Sequence, residues 1–315
     1  MENLIFSLNA TIPIFLMMVA GFILKKIKML DEHSTAVINK IVFRVFLPAL
    51  LFMDLADEDF ISIWDSDFVL FCIVSTLISI FIAALMSLFL KDKSDKGQFI
   101  QGSYRSAAAT LGIAFMTNIY DNVAMVALMI IGCVPIYNLI AVVLLSLTSP
   151  EGQRQTPRHL IKKTFKNLVT NPIILSIVAG LLWSVLSLPK PFIFVKSMTY
   201  LGNVASPLAL IGLGASFELS ELKEKKLPVI LININKLFLF CLIFLPLAVS
   251  MGFRDDKLVA ALIMLGSATT SSSFIMAKNM GHDGKVSSGA VMTTTLFSSF
   301  SLSFWLFILK TMGYI

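Results

Sequence analysis

Residues Gly266 to Ser273 read GSATTSSS and sit midway along an apolar run from Leu258 to Ala277. That run is 20 residues long, about what a helix rising ~1.5 Å per residue needs to cross the core of a bilayer. Six hydroxyl residues fill its centre: Ser267, Thr269, Thr270, Ser271, Ser272 and Ser273. Consecutive positions point all round a helix, so some of these hydroxyls must face other helices or a water-filled cavity. Two compatible readings follow. Small residues let membrane helices approach closely, or the helix is weakened or broken there and lines a substrate pathway.

The rest of the chain supports a membrane setting. Only 14% of its 315 residues are charged, against about a quarter in soluble domains, and the mean hydropathy is +0.87. The expected fold is therefore an all-α polytopic membrane protein. The net charge of +6 is better read through its placement in loops than as a nucleic-acid footprint. The N-terminal MENLIFSLNA lacks a basic n-region, so the first helix is expected to be retained. Cys72, Cys133 and Cys241 all fall in apolar runs, which suggests neither a disulfide framework nor a metal site.

Ten apolar segments can be placed, at roughly 10–27, 35–54, 68–90, 99–118, 123–147, 171–188, 192–217, 229–251, 258–277 and 287–309. Alternate loops differ sharply in charge. One set holds sixteen Lys and Arg residues, the other five, and 54–67 holds none. By the positive-inside rule both termini are predicted outside the cell membrane, with the basic 148–170 linker in the cytoplasm. The chain also repeats itself. Pro13–Gly21 (PIFLMMVAG) matches Pro172–Gly180 (PIILSIVAG) at an offset of 159, and the same offset carries Pro48 onto Pro207. Five helices per half is an odd number, so the halves 1–147 and 171–315 would lie in opposite orientations. Such inverted repeats are typical of secondary transporters, whose substrate sites lie where interrupted helices of the two halves meet. The counterpart of the ninth segment is then the fourth, Phe99–Asn118, whose middle is likewise small and polar: Ser103, Ser106, Ala107, Ala108, Ala109, Thr110 and Gly112.

Several segments are more specific. VFRVFLPALLF (42–52), GSYRSAAATLGIAF (102–115), VPIYNLIAVVLL (134–145), NPIILSIVAGLL (171–182), SPLALIGLGASF (206–217) and SSFIMAKNMGHD (272–283) together resemble the auxin efflux carrier family, in its bacterial branch, nearly end to end. The resemblance implies ten transmembrane helices in two inverted five-helix repeats, a scaffold region and a transport region. Helices four and nine would cross near the midplane at the substrate site. It also implies traffic in small organic anions, such as auxin, malate or malonate. Family members usually carry a proline at each break. Here Ala114 and about Ala268 stand at those positions, and Ala107 stands where an Asn is common. Any break must therefore come from Gly, Ser and Thr, or these helices are less broken than in relatives.

Inside the expected helices there is no central Asp or Glu, and His33, His159 and His282 fall in predicted cytoplasmic loops, where they are expected to be solvated. That argues against a conventional proton relay. Two arginines do lie at depth, Arg44 and Arg105. Each either snorkels to the headgroups or attracts anions to the pathway. Lys40 and Lys236, nearer helix ends, are expected to snorkel. An interrupted helix would offer free N–H groups and a positive half-helix end to a carboxylate. The candidate substrate ligands are Thr110, Gly112, Tyr137, Asn138, Thr269, Thr270, Ser271, Ser272 and Ser273. Thr293, Thr294 and Thr295 are expected to pack between helices.

The expected function is secondary transport of a small organic anion, by efflux or exchange through alternating access. Two alternatives stay open: a non-transporting receptor on the same scaffold, and a sodium-coupled symporter. No catalytic residue, metal, cofactor or nucleic-acid partner is expected. The expected partners are the anion, the lipid bilayer and, as an open option, a second copy of the chain in a homodimer.

Overall fold

The computed structural model describes residues 2–56, 64–108, 116, 119–120, 124–150, 162, 165–166, 169–216 and 224–315. Among these every regular element is helical, with no strand. Seven helices are long and apolar enough to cross a membrane. In chain order the elements are α1 (Glu2–Lys26), α2 (Glu32–Ala56), α3 (Ser66–Ser87), α4 (Lys93–Tyr104), α5 (Ala124–Thr148), α6 (Pro172–Val185), α7 (Phe192–Ser216), α8 (Lys226–Ser250), α9 (Asp255–Gly266), α10 (Ser271–Asn279) and α11 (Lys285–Thr311).

Local chemistry sets several of these starts. Asp31, Asp65 and Asp92 each stand in extended backbone and accept from an N–H of the first turn, at Ser34, Phe68 and Ser94 respectively. Asn171 does the same for α6 by accepting from Ile173 N–H, and Pro172 supplies the preset φ of the first helical position. Two helices widen locally. α2 has a π turn at Val42–Phe46 and α8 has one at Asn235–Leu239. A π turn leaves backbone groups out of the regular ladder. In α8 the carbonyl of Leu237 is taken by the indole N–H of Trp305, at 2.9 Å.

α1 packs on α7 and α11, and α2 packs on α6 and α7. The contact between α1 and α7 is backbone to backbone. A Cβ added to Gly21 would collide with the Ile211 carbonyl, and one added to Gly214 with the Met18 carbonyl. On the other side α3, α4 and α5 pack together, as do α8, α9 and α11. The α9–α10 segment is the innermost. Of its most apolar window 89% is buried, against 39–61% for the other spans. By contrast α11 turns Phe297, Phe300, Phe304 and Phe307 outward, the side that suits lipid.

The decisive feature is that the ninth segment is broken. α9 ends at Gly266, Ser267 and Thr270 are extended, and α10 restarts at Ser271. The fourth segment also stops being helical: α4 ends at Tyr104 and Arg105 is extended. Neither interruption contains a proline. Ala114, the other position expected to carry a departure, lies outside the described residues.

Two expectations about polar side chains are corrected. Lys236 does not snorkel. It is 1% exposed, because the π turn faces it into the bundle, where its Nζ donates to the Met264 carbonyl at 2.9 Å. His282 is not a solvated loop residue either. It is buried, with Nε2 2.9 Å from the Leu145 carbonyl and Nδ1 3.1 Å from the Ser94 carbonyl. It thereby ties the α10–α11 loop to the start of α4 and the end of α5.

Candidate functional site

The two interruptions meet. The N–H of Ala107 donates to the carbonyl of Ala268 at 2.9 Å, a backbone hydrogen bond between segments some 160 positions apart in the sequence. Backbone groups released by the break find side chains instead. Thr294 Oγ1 accepts from Thr269 N–H at 3.0 Å, and Thr269 Oγ1 donates to the Gly102 carbonyl at 2.7 Å. Gln101 Nε2 donates to the Ser273 carbonyl at 2.9 Å, and Ser273 Oγ donates back to the Thr270 carbonyl at 2.7 Å. Unsatisfied backbone in an apolar interior would cost ~1–3 kcal/mol per group. The Ser and Thr cluster removes much of that cost, which is why no proline is required.

Arg105 lies directly after α4 and is 2% exposed. Its Nη2 donates to Asn138 Oδ1 at 2.9 Å and to Ser272 Oγ at 2.8 Å. Its Nη1 lies 2.9 Å from Met276 Sδ and 3.4 Å from Gln101 Oε1. Its Nε is buried with no partner. Every one of these contacts is neutral, and no described carboxylate pairs with the guanidinium. Of the two sequence readings of Arg105, snorkelling is excluded by this burial. Arg44, in contrast, is exposed and lines a separate cavity of about 670 Å³ with Asn171 and Asn279.

The residues around Arg105 form the wall of a small cavity of about 60 Å³. It contains Ser106, Tyr137, Asn138, Thr270, Ser271 and Ser272, and runs along α2 past Leu47, Leu50 and Leu51 to Asp54. Tyr137 is positioned by its own bonds. Its hydroxyl lies 3.3 Å from Ser106 Oγ, and its carbonyl accepts from Tyr104 Oη at 3.0 Å. Asn138 Nδ2 donates to the Val134 carbonyl, one turn back, which turns its Oδ1 toward Arg105. Across the break a second cavity of about 280 Å³ touches Ala268, Thr269, Thr270 and Ser271, with Pro13 and Pro207 on its far wall. The N-terminal end of α10 therefore faces both spaces. That end carries roughly half a positive charge from aligned peptide dipoles.

The expected ligands divide accordingly. Tyr137, Asn138, Thr270, Ser271, Ser272 and Arg105 come together on one cavity. Thr269 is on the second cavity, but its hydroxyl is committed to Gly102. Ser273 lines neither cavity and is bonded within its own turn. Thr110 and Gly112 lie outside the described residues. The sequence reading missed Gln101 and Met276 as site residues, and named Ser106 only as part of the small, polar middle of the fourth segment. For Gln101 a signal existed: Gln98, Gln101 and Arg105 stand three and four apart, one polar stripe along a helix face. Thr294 bonds between segments, as expected of its cluster, and Thr293 accepts from Asn233 Nδ2 at 2.7 Å.

Comparison with known proteins bears on this geometry. A protein of Rhizobium meliloti named "Putative malonate transporter" is 22% identical over 307 residues, covering 95% of each chain. An "Uncharacterized transporter" of Methanothermobacter thermautotrophicus is 20% identical over 305 residues, 95% of this chain and 97% of that one. The family model described as "Membrane transport protein" matches residues 6–306. The chain is a multi-pass membrane transporter rather than an enzyme, and it belongs to that membrane transport protein family, the auxin efflux carriers.

Proposed function

We propose that the protein carries a small organic anion across the cytoplasmic membrane by alternating access, with the meeting point of the two interrupted segments as its substrate site. One observation carries this reading. Arg105 is a fully buried guanidinium whose contacts are all neutral, and it lies beside the positive end of α10. A cation at depth is costly unless something compensates it. An anionic substrate would supply the missing charge and accept from the free Nε. Ser272, Ser271, Thr270, Asn138 and Tyr137 would add neutral donors. The match to a relative named for malonate supports a carboxylate or dicarboxylate.

In this reading the chain forms ten transmembrane helices as two inverted five-helix repeats, 1–147 and 171–315, joined by a cytoplasmic linker at 148–170. Both termini lie outside. The α1, α2, α6 and α7 group would act as one body and the remaining helices as the other. With no described carboxylate within the two interruptions, the membrane potential or substrate exchange drives the flux. Export of one negative charge gains ~2.3 kcal/mol per 100 mV of inside-negative potential.

Flux of malonate and a panel of mono- and dicarboxylates in proteoliposomes tests this. The expected result is saturable transport of at least one carboxylate, abolished or strongly weakened by Arg105→Gln. Ligand-induced thermal stabilisation without flux would favour the receptor alternative. Flux that requires a sodium gradient would favour the symporter.

A further inference from the structure

Where α9 stops, its last carbonyls lose their helical partners and gather the negative end of the helix dipole. The Ile263 carbonyl is still met by Ser267 N–H. The next, Met264, is met by the Nζ of Lys236 at 2.9 Å. That lysine is fully buried and has no described carboxylate beside it. It projects from the π turn Asn235–Leu239 of α8, and the Leu237 carbonyl in that turn is satisfied separately by Trp305. The geometry therefore directs a long amine-tipped side chain, from a distorted stretch of helix, onto one carbonyl at the break. In carriers coupled to a cation, the C-terminal ends of broken helices and their unwound carbonyls are where that ion is held.

We propose that Lys236 is a resident cation for the α9 break: its tethered ammonium holds the carbonyl end that a bound ion would otherwise hold. It is a positioning residue, since it fixes the segment from which Thr270 to Ser272 are presented. The proposal rests on the break being the working part of a carrier, and it makes a claim about ions that can be read without any substrate.

The test uses the full-length purified protein in detergent. Its melting temperature is measured in the chlorides of sodium, lithium, potassium and N-methylglucamine at matched ionic strength. Wild type is expected to melt at the same temperature in all four. Lys236→Gln, which keeps a hydrogen-bond donor but not the charge, is expected to melt lower, and sodium or methylammonium should restore part of the loss. In proteoliposomes its flux should fall and recover in the same order. The proposal is overturned if wild type is stabilised by one alkali cation over N-methylglucamine. It is equally overturned if Lys236→Gln is indistinguishable from wild type, or if neither added cation repairs its loss. Should that variant yield no folded protein, the wild-type ion series decides alone. An absence of carboxylate flux in wild type with these melting results intact would remove the organic-anion reading of the substrate and leave the resident cation standing.

Discussion

Ala107 gives its N–H to the carbonyl of Ala268, so each interrupted segment is anchored by the other. The two positions are not equivalent in what they contribute. Ala107 donates, whereas Ala268 is used only as an acceptor and donates no backbone hydrogen bond among the described residues. Ser267, just before it, already has φ −76° and ψ 166°, the conformation that a residue preceding proline favours.

A contrast between two proline substitutions follows. Ala107→Pro removes the shared hydrogen bond and leaves the Ala268 carbonyl buried without its donor, at a cost of ~1–3 kcal/mol. Ala268→Pro deletes an N–H that makes no hydrogen bond among the described residues and stiffens the unfolded chain, so it should be neutral or stabilising by up to ~1 kcal/mol. Melting temperatures of the two variants in the same detergent decide the matter. Equal losses would mean that the shared hydrogen bond does not hold the breaks together.

Arg105 offers the second prediction. A charge-assisted hydrogen bond is worth ~1.5–3 kcal/mol, so Arg105→Gln should raise the apparent KM for a carboxylate by ~10–100-fold. Arg105→Lys keeps the charge but loses the fork that reaches Asn138 and Ser272 together. Its KM should fall between the two. Initial-rate flux over a range of substrate concentrations separates these cases. A change in maximal rate alone, with KM untouched in both variants, would place Arg105 outside the binding step.

The place of the break was legible in the sequence from its hydroxyls, although close helix packing was an equally open reading of them and only the backbone geometry separates the two. GSATTSSS marked one interruption, and the repeat offset pointed to the other. The fate of individual cations was less legible. Distance from a helix end suggested that Lys236 would snorkel, yet depth is decided by which way a helix face turns, and a π turn changes that local register. His282 was read as solvent-exposed for a similar reason. Nothing local shows that the ends of α4 and α5 close over it. Which hydroxyls point into the cavity was beyond sequence periodicity, because the periodicity ends at the break. Ser272 faces Arg105, and Ser273 is bonded within its own turn.

Asp54 gives the third prediction. It is the described carboxylate on the cavity that holds Arg105, placed where that cavity reaches the end of α2. Like charges about 8 Å apart at an effective dielectric of about 20 repel by ~2 kcal/mol, an upper bound on what an ionised Asp54, offset by its own partners, adds against an entering anion. Asp54→Asn keeps the shape and the hydrogen-bonding capacity but removes the charge. Apparent affinity for a carboxylate is expected to rise by up to ~10-fold, with a weaker dependence on salt. Unchanged affinity at low and high ionic strength would show that substrate does not pass this residue.

Asp65 gives a prediction for pH. It caps α3 through Phe68 N–H and is paired with Lys257 at the start of α9, so it ties the two helices together. The hydrogen bond from Lys257 is the main cause holding its carboxyl below the usual value of 3.8, with the Phe68 bond adding to it against the opposing effect of burial. A carboxylate whose pKa is lower in the folded state stabilises the fold above its unfolded pKa, and that contribution is lost as pH falls through the folded value. The pair is partly exposed, so its worth is at most ~1 kcal/mol. Asn caps helices as well as Asp does. Asp65→Asn should therefore lower the melting temperature slightly at neutral pH. The gap from wild type should close as pH drops below about 4, because both chains then lack the charge. Melting curves of the two proteins between pH 7 and the acid limit of the detergent-solubilised state measure the gap. A constant difference across that range would assign the loss to altered packing rather than to the ion pair.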